Sequence, residues 1–341
     1  MKGSSGRRKF RRDAFRALAV VAAVALAMGV ALFLISRWQR RRFAVEAVEE
    51  PGYGLSDEGD DDRIEYEGAV YVRKEGVSAY LILGIDVSGP VRSNKSYIGG
   101  GQADMQLLVV TDDQAETWQI LYLNRDTMTE VPVLGVMGNV VSTRYEQLCL
   151  AHSYGDGMEE SCINNVNTVS ALLGDQEIDG YFSLNMDGVA ILNDAVGGVT
   201  LTVQSDFSGV DDSLVQGETI TLTGEQALTY VRTRKGVDDQ TNLSRMERQA
   251  QYIKALFAQC RQAGEEVMLE AYDAVYDYLV TDMGSGGLVE LAQTMAAYTE
   301  LESLTIQGES YLDETGANAY ELDPDSLERT ILQLFYEQAA E

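Results

Sequence analysis

The sequence predicts an α/β fold, with a mostly parallel or mixed central sheet covered by helices on both faces. Two observations lead there. SAYLILGID and MQLLVVTDD are continuous apolar runs of strand length, as expected for strands buried on both sides. Strand-like and helix-like patterns then alternate along the chain, which is the order of a layered sheet. No linker interrupts residues 76–341, so one domain near the upper size for a single core is expected there.

Before that domain, residues 17–36, ALAVVAAVALAMGVALFLIS, carry no charge. As a helix they would rise about 30 Å, enough to cross a bilayer core. Seven cations (Lys2, Arg7, Arg8, Lys9, Arg11, Arg12, Arg16) precede the run and four (Arg37, Arg40, Arg41, Arg42) follow it. The bias predicts a transmembrane anchor with a basic tail, 1–16, in the cytoplasm and the bulk of the chain outside. A cleaved signal peptide fits less well, because no small-residue cleavage site separates the apolar run from the basic one. Residues 37–75 read as an acidic linker, GLSDEGDDDRIEYEG having too little apolar content to bury, although AVYVRKEG would open a first strand.

The remaining elements follow in order. WQILYLNRD is a third strand after SAYLILGID and MQLLVVTDD, ending in a polar loop. YEQLCLAHSYG and INNVNTVSALLG have helical spacing and stop at glycine. IDGYFSLNM reads as a strand, DGVAILNDAVGG as a helix and VTLTV as a strand. LTGEQALTYV is a short helix with Thr223 as its cap. VRTR reads as extended, which puts Arg232 and Arg234 on one face. Leu243 to Gln259 reads as an amphipathic helix with Leu243, Met246, Ala250, Ile253 and Phe257 along one stripe. Two more helical patterns, the strand LESLTIQG and the closing helix DPDSLERTILQLFYEQ complete the chain.

The charge is lopsided: 26 Lys and Arg stand against 54 Asp and Glu. Beyond residue 42 the balance is 15 against 53, a net charge of −38. Such a surface repels the phosphates of DNA and excludes nucleic acid as a partner. Yet five of those 15 cations, Arg232, Arg234, Lys235, Arg245 and Arg248, fall within YVRTRKGVDDQTNLSRMERQ (230–249). A single surface arginine usually pairs with nearby acids, here Asp238, Asp239 and Glu247. Five clustered at a helix start mark a local anion site.

The spacing makes that site concrete. Ser244-Arg245-Met246-Glu247 fits a capping box, with Asn242 as a competing cap. Either start places Arg245 in the first helical turn, where free N–H groups favour an anion. Gln249 and Tyr252 share its face. Guanidinium forks bind phosphate oxygens bidentately, so the group suits a pyrophosphate. Asp86 ends LILGID and Asp104 begins the strand of MQLLVV; two carboxylates near a pyrophosphate suit Mg²⁺. Each has the ordinary alternative of a loop or cap hydrogen bond. Arg125, in Asn124-Arg125-Asp126, adds a cation at a strand's carboxyl end, where ligands of α/β sheets gather. Its ordinary alternative is a turn with an internal ion pair. Cys149, Cys162 and Cys260 lack zinc-site spacing; outside the membrane the first two are expected to form a short-loop disulfide. His152, the sole histidine, lies in an apolar run beside a small-residue turn, which disfavours histidine catalysis.

These residues carry a resemblance to the LytR–CpsA–Psr family of cell-envelope enzymes. The matching pieces are LILGID (81–86), GQADMQLLV (101–109), NRDT (124–127), LCLAHSYGDG (148–157), IDGYFSLNMDG (178–188), VGGVTLTV (196–203) and LTGEQALTYVRTR…SRMERQ (222–249). They span most of 76–260, leaving 261–341 as a C-terminal extension. The resemblance implies an α/β/α sandwich with a hydrophobic tunnel, behind one transmembrane helix. It implies a phosphotransferase that moves a glycopolymer from an undecaprenyl-pyrophosphate carrier to peptidoglycan, using Mg²⁺ or alternatively Mn²⁺, with pyrophosphatase activity on the side. Arg125, Arg232, Arg234, Arg245 and Gln249 match pyrophosphate-binding positions, and Arg248 is grouped with them. Asp86 and Asp104 match carboxylates near the metal; with Arg125 and Arg245 they form the implied catalytic set. Two departures stand out. Asp86-Val87-Ser88-Gly89 lacks an arginine common after the first aspartate, and Asn242 replaces a common aspartate, for which Asp238 or Asp239 would have to substitute. A polymer-binding protein without activity and a transcriptional attenuator are the alternative classes.

The topology is testable directly. Protease added to intact protoplasts should degrade the large domain; protection until lysis would reverse the orientation.

Overall fold

The computed structural model of the protein describes residues 63–239 and 242–339. The expected tail 1–16, the expected span 17–36 and residues 37–62 of the expected linker lie outside the described residues. Among those described, no helix is long and apolar enough to cross a membrane.

The chain opens with the hairpin β1 (Arg63–Tyr66) and β2 (Ala69–Arg73), followed by β3 (Val77–Ile85), β4 (Ala103–Asp112) and β5 (Thr117–Leu123). The hairpin β6 (Met128–Leu134)–β7 (Val140–Gln147) comes next, then α1 (Glu159–Leu172), β8 (Gly180–Asn185) and α2 (Met186–Ala195). The short pair β9 (Thr200–Thr202) and β10 (Thr219–Thr221) leads to α3 (Gly224–Arg232), α4 (Asn242–Ala263) and α5 (Glu265–Val275). β11 (Leu279–Thr281), α6 (Gly284–Ala297), β12 (Thr299–Glu300) and β13 (Leu304–Thr305) follow. The hairpin β14 (Gly308–Leu312)–β15 (Asn318–Leu322), α7 (Pro324–Phe335) and β16 (Tyr336–Gln338) close the domain.

The central sheet runs β11-β8-β3-β4-β5, with β12 and β13 beside β5. β3 pairs parallel with β8 and antiparallel with β4, so the sheet is mixed. Alternation along the strands builds two cores. Ala79, Leu81, Leu83 and Ile85 of β3 pack with Val169 of α1 and Ile331 of α7. On the other face Leu107 and Val109 of β4 pack with Tyr230 of α3, Ile253 of α4 and Leu291 of α6. The result is the α/β/α sandwich that the resemblance implied. Each fully buried leucine contributes about 2 kcal/mol by area, which is why both faces of these strands are apolar.

Four local expectations are corrected. Arg63–Tyr66 of the expected linker are a strand; AVYVR is the first strand the sequence offered, and as β2 it also pairs with β16, Arg73 opposite Tyr336. Glu67 and Gly68, both at positive φ, make the tight turn that lets this hairpin form. YEQLCLAHSYG is not a helix; it is the end of β7 followed by 3₁₀ turns at Leu148–Leu150 and His152–Tyr154. The N–H groups of Leu148 and Cys149 donate to the Thr127 and Arg125 carbonyls, which diverts the backbone from helical bonding. VRTR is not a strand, because α3 continues through Arg232. Finally, α4 begins at Asn242, so Ser244 is inside it rather than its cap, and Leu243 is 61% exposed. The face of α4 that is buried carries Arg245, Arg248, Gln249, Tyr252, Ile253 and Leu256.

His152 is buried, and its neutral ring donates Nδ1–H to the Gly101 carbonyl at 3.1 Å while Nε2 stands 3.9 Å from the Cys162 sulfur. Burial pushes its pKa down to about 4. The folded protein therefore binds this proton more weakly than the unfolded chain, whose histidine titrates at 6.5. The resulting stability is present above pH 6.5 and lost as pH falls towards 4, an effect of about 3 kcal/mol. Urea melts between pH 7 and pH 4.5 should show a shallower acid loss for His152→Gln than for the parent protein. Parallel pH slopes for the two would refute the assignment.

Candidate active site

The carboxyl ends of β3 and β5 and the amino end of antiparallel β4 meet at one edge of the sheet, bringing Asp86, Arg125 and Asp104 there. Asp104 is the hub. One carboxylate oxygen accepts from Arg125 Nη1 and the other from Arg245 Nη1, the latter at 2.8 Å. Arg125 also donates to Gln102 Oε1 at 2.6 Å and to Asp126 Oδ1 at 3.1 Å, and its Nη2 lies 3.0 Å from the Cys149 sulfur. Arg245 Nη2 donates to Asn242 Oδ1 at 2.8 Å, and Asn242 Nδ2 donates to Asn124 Oδ1 at 3.1 Å. Arg245 is only 7% exposed, yet its Nε has no partner among the described residues. A buried donor left unmade costs about 1–3 kcal/mol, so Arg245 is the member of the cluster whose hydrogen bonds the described residues do not complete.

Asp86 is exposed at the end of β3, where Oδ1 accepts from the Gln102 N–H at 2.6 Å. Partial desolvation pushes its pKa up; the Gln102 N–H lowers it, and the charge of Asp104 raises it further. Gln102 therefore touches both halves of the site, through its backbone to Asp86 and its side chain to Arg125. The loop is held from behind. His152 and Ser153 both donate to the Gly101 carbonyl, while Gly99 and Gly100 donate to the Ser153 carbonyl. Gly101 sits at φ +91°, and a Cβ there would meet Val87 and, at 2.7 Å, Ile85. Only glycine lets the loop pass so close to the strand end.

Of the helical cations, Arg232 ends α3 and Arg234 lies in the turn beyond, both exposed. The capping box of Thr223 and Gln226 starts this helix; at Thr233 the backbone turns extended. Arg248 does not join the group. It is 1% exposed, donates to the Tyr230 carbonyl at 3.2 Å and to the Thr233 carbonyl, pairs with Asp238 at 2.6 Å, and lies 5.6 Å from the Phe207 ring centroid. It satisfies carbonyls freed at the end of α3, which corrects its assignment as a phosphate ligand. Asp238 is thereby committed to Arg248, and Asp239 accepts from Ser244. Asn242 itself fills the aspartate's place, orienting Arg245 through its amide oxygen.

Behind this cluster lies a cavity of about 1670 Å³, including its mouth, between the sheet and α2, α4, α5 and α6. Tyr80, Ile82 and Met105 line it from the sheet, and Leu256, Ala271 and Leu291 from the helices. Asp104, Arg232, Arg245 and Gln249 border one end. Gln249 Nε2 donates to the Val231 carbonyl at 3.1 Å, joining α4 to α3 at that border.

Sequence reasoning missed Gln102, and it missed the Asn124–Asn242 link; a glutamine between two aspartates was the available signal. It also expected a Cys149–Cys162 disulfide. Both thiols are free and buried, one facing Arg125 and the other His152. Burial pushes both cysteine pKa values up to about 12, which keeps them as inert thiols.

The two kinds of arginine should separate by stability. Arg248→Ala leaves Asp238 and two backbone carbonyls without their donor and should cost about 3 kcal/mol or more. Arg234→Ala should change the melting free energy by less than about 0.5 kcal/mol. Equal losses in urea denaturation would contradict the distinction.

Against this geometry stand the known proteins. The LytR_cpsA_psr family matches residues 56–335. The polyisoprenyl-teichoic acid–peptidoglycan teichoic acid transferase TagU of Halalkalibacterium halodurans is 30% identical over 231 residues, covering 67% of this chain and 69% of TagU. The corresponding transferase TagT of Bacillus subtilis is 26% identical over 268 residues, covering 74% of each chain. The structure of TagT bound to LI-WTA aligns with a TM-score of 0.60 at 22% identity, over 85% of this chain and 94% of TagT. At that identity the likeness speaks for the fold. Sequence pieces, sandwich and family match agree: the chain belongs to the LytR_cpsA_psr family.

Proposed function

We propose that this protein transfers a glycopolymer from a polyprenyl-pyrophosphate carrier to peptidoglycan. The observation that carries the reading is Arg245: a buried guanidinium whose Nε has no partner among the described residues, at the charged border of an apolar cavity. Such a cavity suits an isoprenoid chain, which gains by leaving water, and the border suits the pyrophosphate attached to it. The names of TagU and TagT describe this class of reaction.

Arg245, Arg125 and Arg232 would bind and orient the phosphates. Gln249 would add a polar contact at the same border, and Arg234 would attract the anion from outside. Asp104 holds Arg125 and Arg245 in place before substrate arrives, so no reorganisation is needed as charge moves. In the transfer, the acceptor O–H bond breaks and its oxygen bonds the sugar-proximal phosphorus. The bond from that phosphorus to the bridging oxygen breaks, and the lipid monophosphate leaves with the electron pair. The acceptor's proton passes to the Asp86 carboxylate or to water.

Mg²⁺ fits the donor set as a substrate-borne ion. Among the described residues no group of three or more His, Cys, Asp or Glu could hold a metal, so phosphate oxygens would have to supplement Asp86 and Asp104. Both Asp104 oxygens already accept from Arg125 and Arg245, so Asp86, which has only Oδ1 engaged among the described residues, would be the freer of the two carboxylates. When bound, the ion would offset phosphate charge. The reading includes the N-terminal anchor, which would keep the domain beside its lipid substrate.

Arg245→Ala and Arg232→Ala should lower transfer by about a hundredfold or more, the scale of losing a charge-stabilising donor. Lys235 is exposed and does not border the cavity, so Lys235→Ala should stay within about twofold. A transfer assay with polyprenyl-pyrophosphate disaccharide as donor decides it. Should Lys235→Ala match Arg232→Ala, the cluster acts as a diffuse cationic patch rather than an oriented site.

A further inference from the structure

A second, open pocket, of about 630 Å³ including its mouth, lies under the loop of residues 87–100. Gly84 and Ile85 border the apolar cavity, whereas Val87, Ser88 and Gly89 border this one. Asp86 is thus the residue at which the chain passes from one cavity to the other.

It is more polar than the first. Ser88, Arg92, Asn94 and Asn185 line it beside the apolar Val87 and Pro90, with backbone at Gly100 and Gly157 completing the wall. Asn185 is 5% exposed; its Nδ2 donates to the Gly89 carbonyl at 2.9 Å, while its Oδ1 accepts no hydrogen bond among the described residues. Arg92 is exposed and makes no side-chain hydrogen bond or ion pair among them. The loop is nonetheless pinned. The Gly89 N–H donates to Asp187 at 2.8 Å, the Val91 N–H to the Asp277 carbonyl at 2.8 Å, and Gly99 and Gly100 to Ser153. Gly100 approaches so closely that a Cβ would stand 3.0 Å from Gly157. The Asn94 amide is spent inside the loop, on Ile98 and Ser96, which leaves the Ser88 hydroxyl, the Arg92 guanidinium and Asn185 Oδ1 beside Val87 and Pro90. Such a pocket suits a ligand with hydroxyl, amide or carboxylate groups and one apolar face, as a sugar ring has.

We infer that this cavity is the acceptor subsite, holding a hydroxyl- and amide-bearing amino sugar of the peptidoglycan glycan, with Arg92 on an anionic substituent. The inference rests on the transfer reading above and names where its second substrate sits. Phosphoryl transfer needs the attacking and leaving oxygens roughly in line on opposite sides of phosphorus. With the lipid phosphate leaving towards the apolar cavity, the attacking hydroxyl must arrive from the other side. The second cavity provides that approach, and Asp86 lies between them. The sugar of the donor polymer has the same chemistry, so the experiment must tell the two sources apart.

Arg92→Ala removes the cation, and Ser88→Tyr fills the cavity; both residues are exposed, so the fold should survive. Three quantities are measured on the full-length protein. They are calorimetric affinity for a soluble peptidoglycan glycan oligomer, affinity for a polyprenyl-pyrophosphate disaccharide, and KM and kcat for transfer. The expected result is a loss of glycan affinity and a rise in acceptor KM of about tenfold, the scale of one charge-assisted contact, with donor affinity unchanged. A parallel loss of donor affinity would overturn the assignment and give the cavity to the donor's sugar. Unchanged glycan affinity in both variants would also overturn it. If the parent protein binds the glycan in this cavity but transfers nothing to it, the binding site stands and the transfer reading fails.

Discussion

One carboxylate holds the charged end of this protein together. Asp104 is bound at once by Arg125, twenty-one residues away, and by Arg245, on a helix 141 residues away. Two guanidiniums brought this close without an anion between them would repel, and in a partly desolvated site the repulsion is poorly screened. The strand β4 fixes Asp104 in the sheet, and Asp104 in turn fixes where the sheet edge and α4 meet. The arginines therefore stand oriented by the fold. Electrostatic stabilisation works best in this state, with the dipoles and charges aimed before the reaction begins.

The buried face of α4 makes sense on the same terms. Its first two turns bury two arginines and a glutamine, which is expensive unless each polar group is answered. Arg248 is answered on every side, by two carbonyls, a carboxylate and an aromatic ring, and so serves the fold. Arg245 is answered at both terminal nitrogens but not at Nε. Residues three apart on one helix have opposite roles, and the count of satisfied donors separates them. Support comes from behind as well: the neutral His152 and Ser153 hold the Gly101 carbonyl, and through it the loop that carries Gln102 and Asp86.

The sandwich and most of its elements were legible in the sequence, because apolar runs fully buried on both faces announce central strands. Asp86, Asp104, Arg125 and Arg245 were legible as a set, since charges at strand ends and helix starts are costly to place there by chance. The failures have physical causes. VRTR has no pattern that marks where α3 stops; the carbonyls at that end are met by Arg248, a partner the local sequence does not announce. Arg248 and Arg245 lie three residues apart and share a helix face, so spacing could not tell which one Asp238 would take. YEQLCLAHSYG has helical spacing, but its amides are claimed by carbonyls of the 125–127 turn, a tertiary contact with no local signal. The cysteine pair was read from compartment and count, whereas the fold gives each sulfur a different neighbour.

The central claim is that Arg245 offers its remaining nitrogen to a phosphate whose lipid tail fills the cavity behind it. A crystal structure of the protein with polyprenyl pyrophosphate bound tests this most directly. The account predicts a phosphate oxygen within hydrogen-bonding distance of Arg245 Nε, with the isoprenoid chain running between Tyr80 and Leu256. A lipid whose phosphates sit elsewhere, or whose chain lies outside the cavity while Arg245 Nε stays unpartnered, would contradict it.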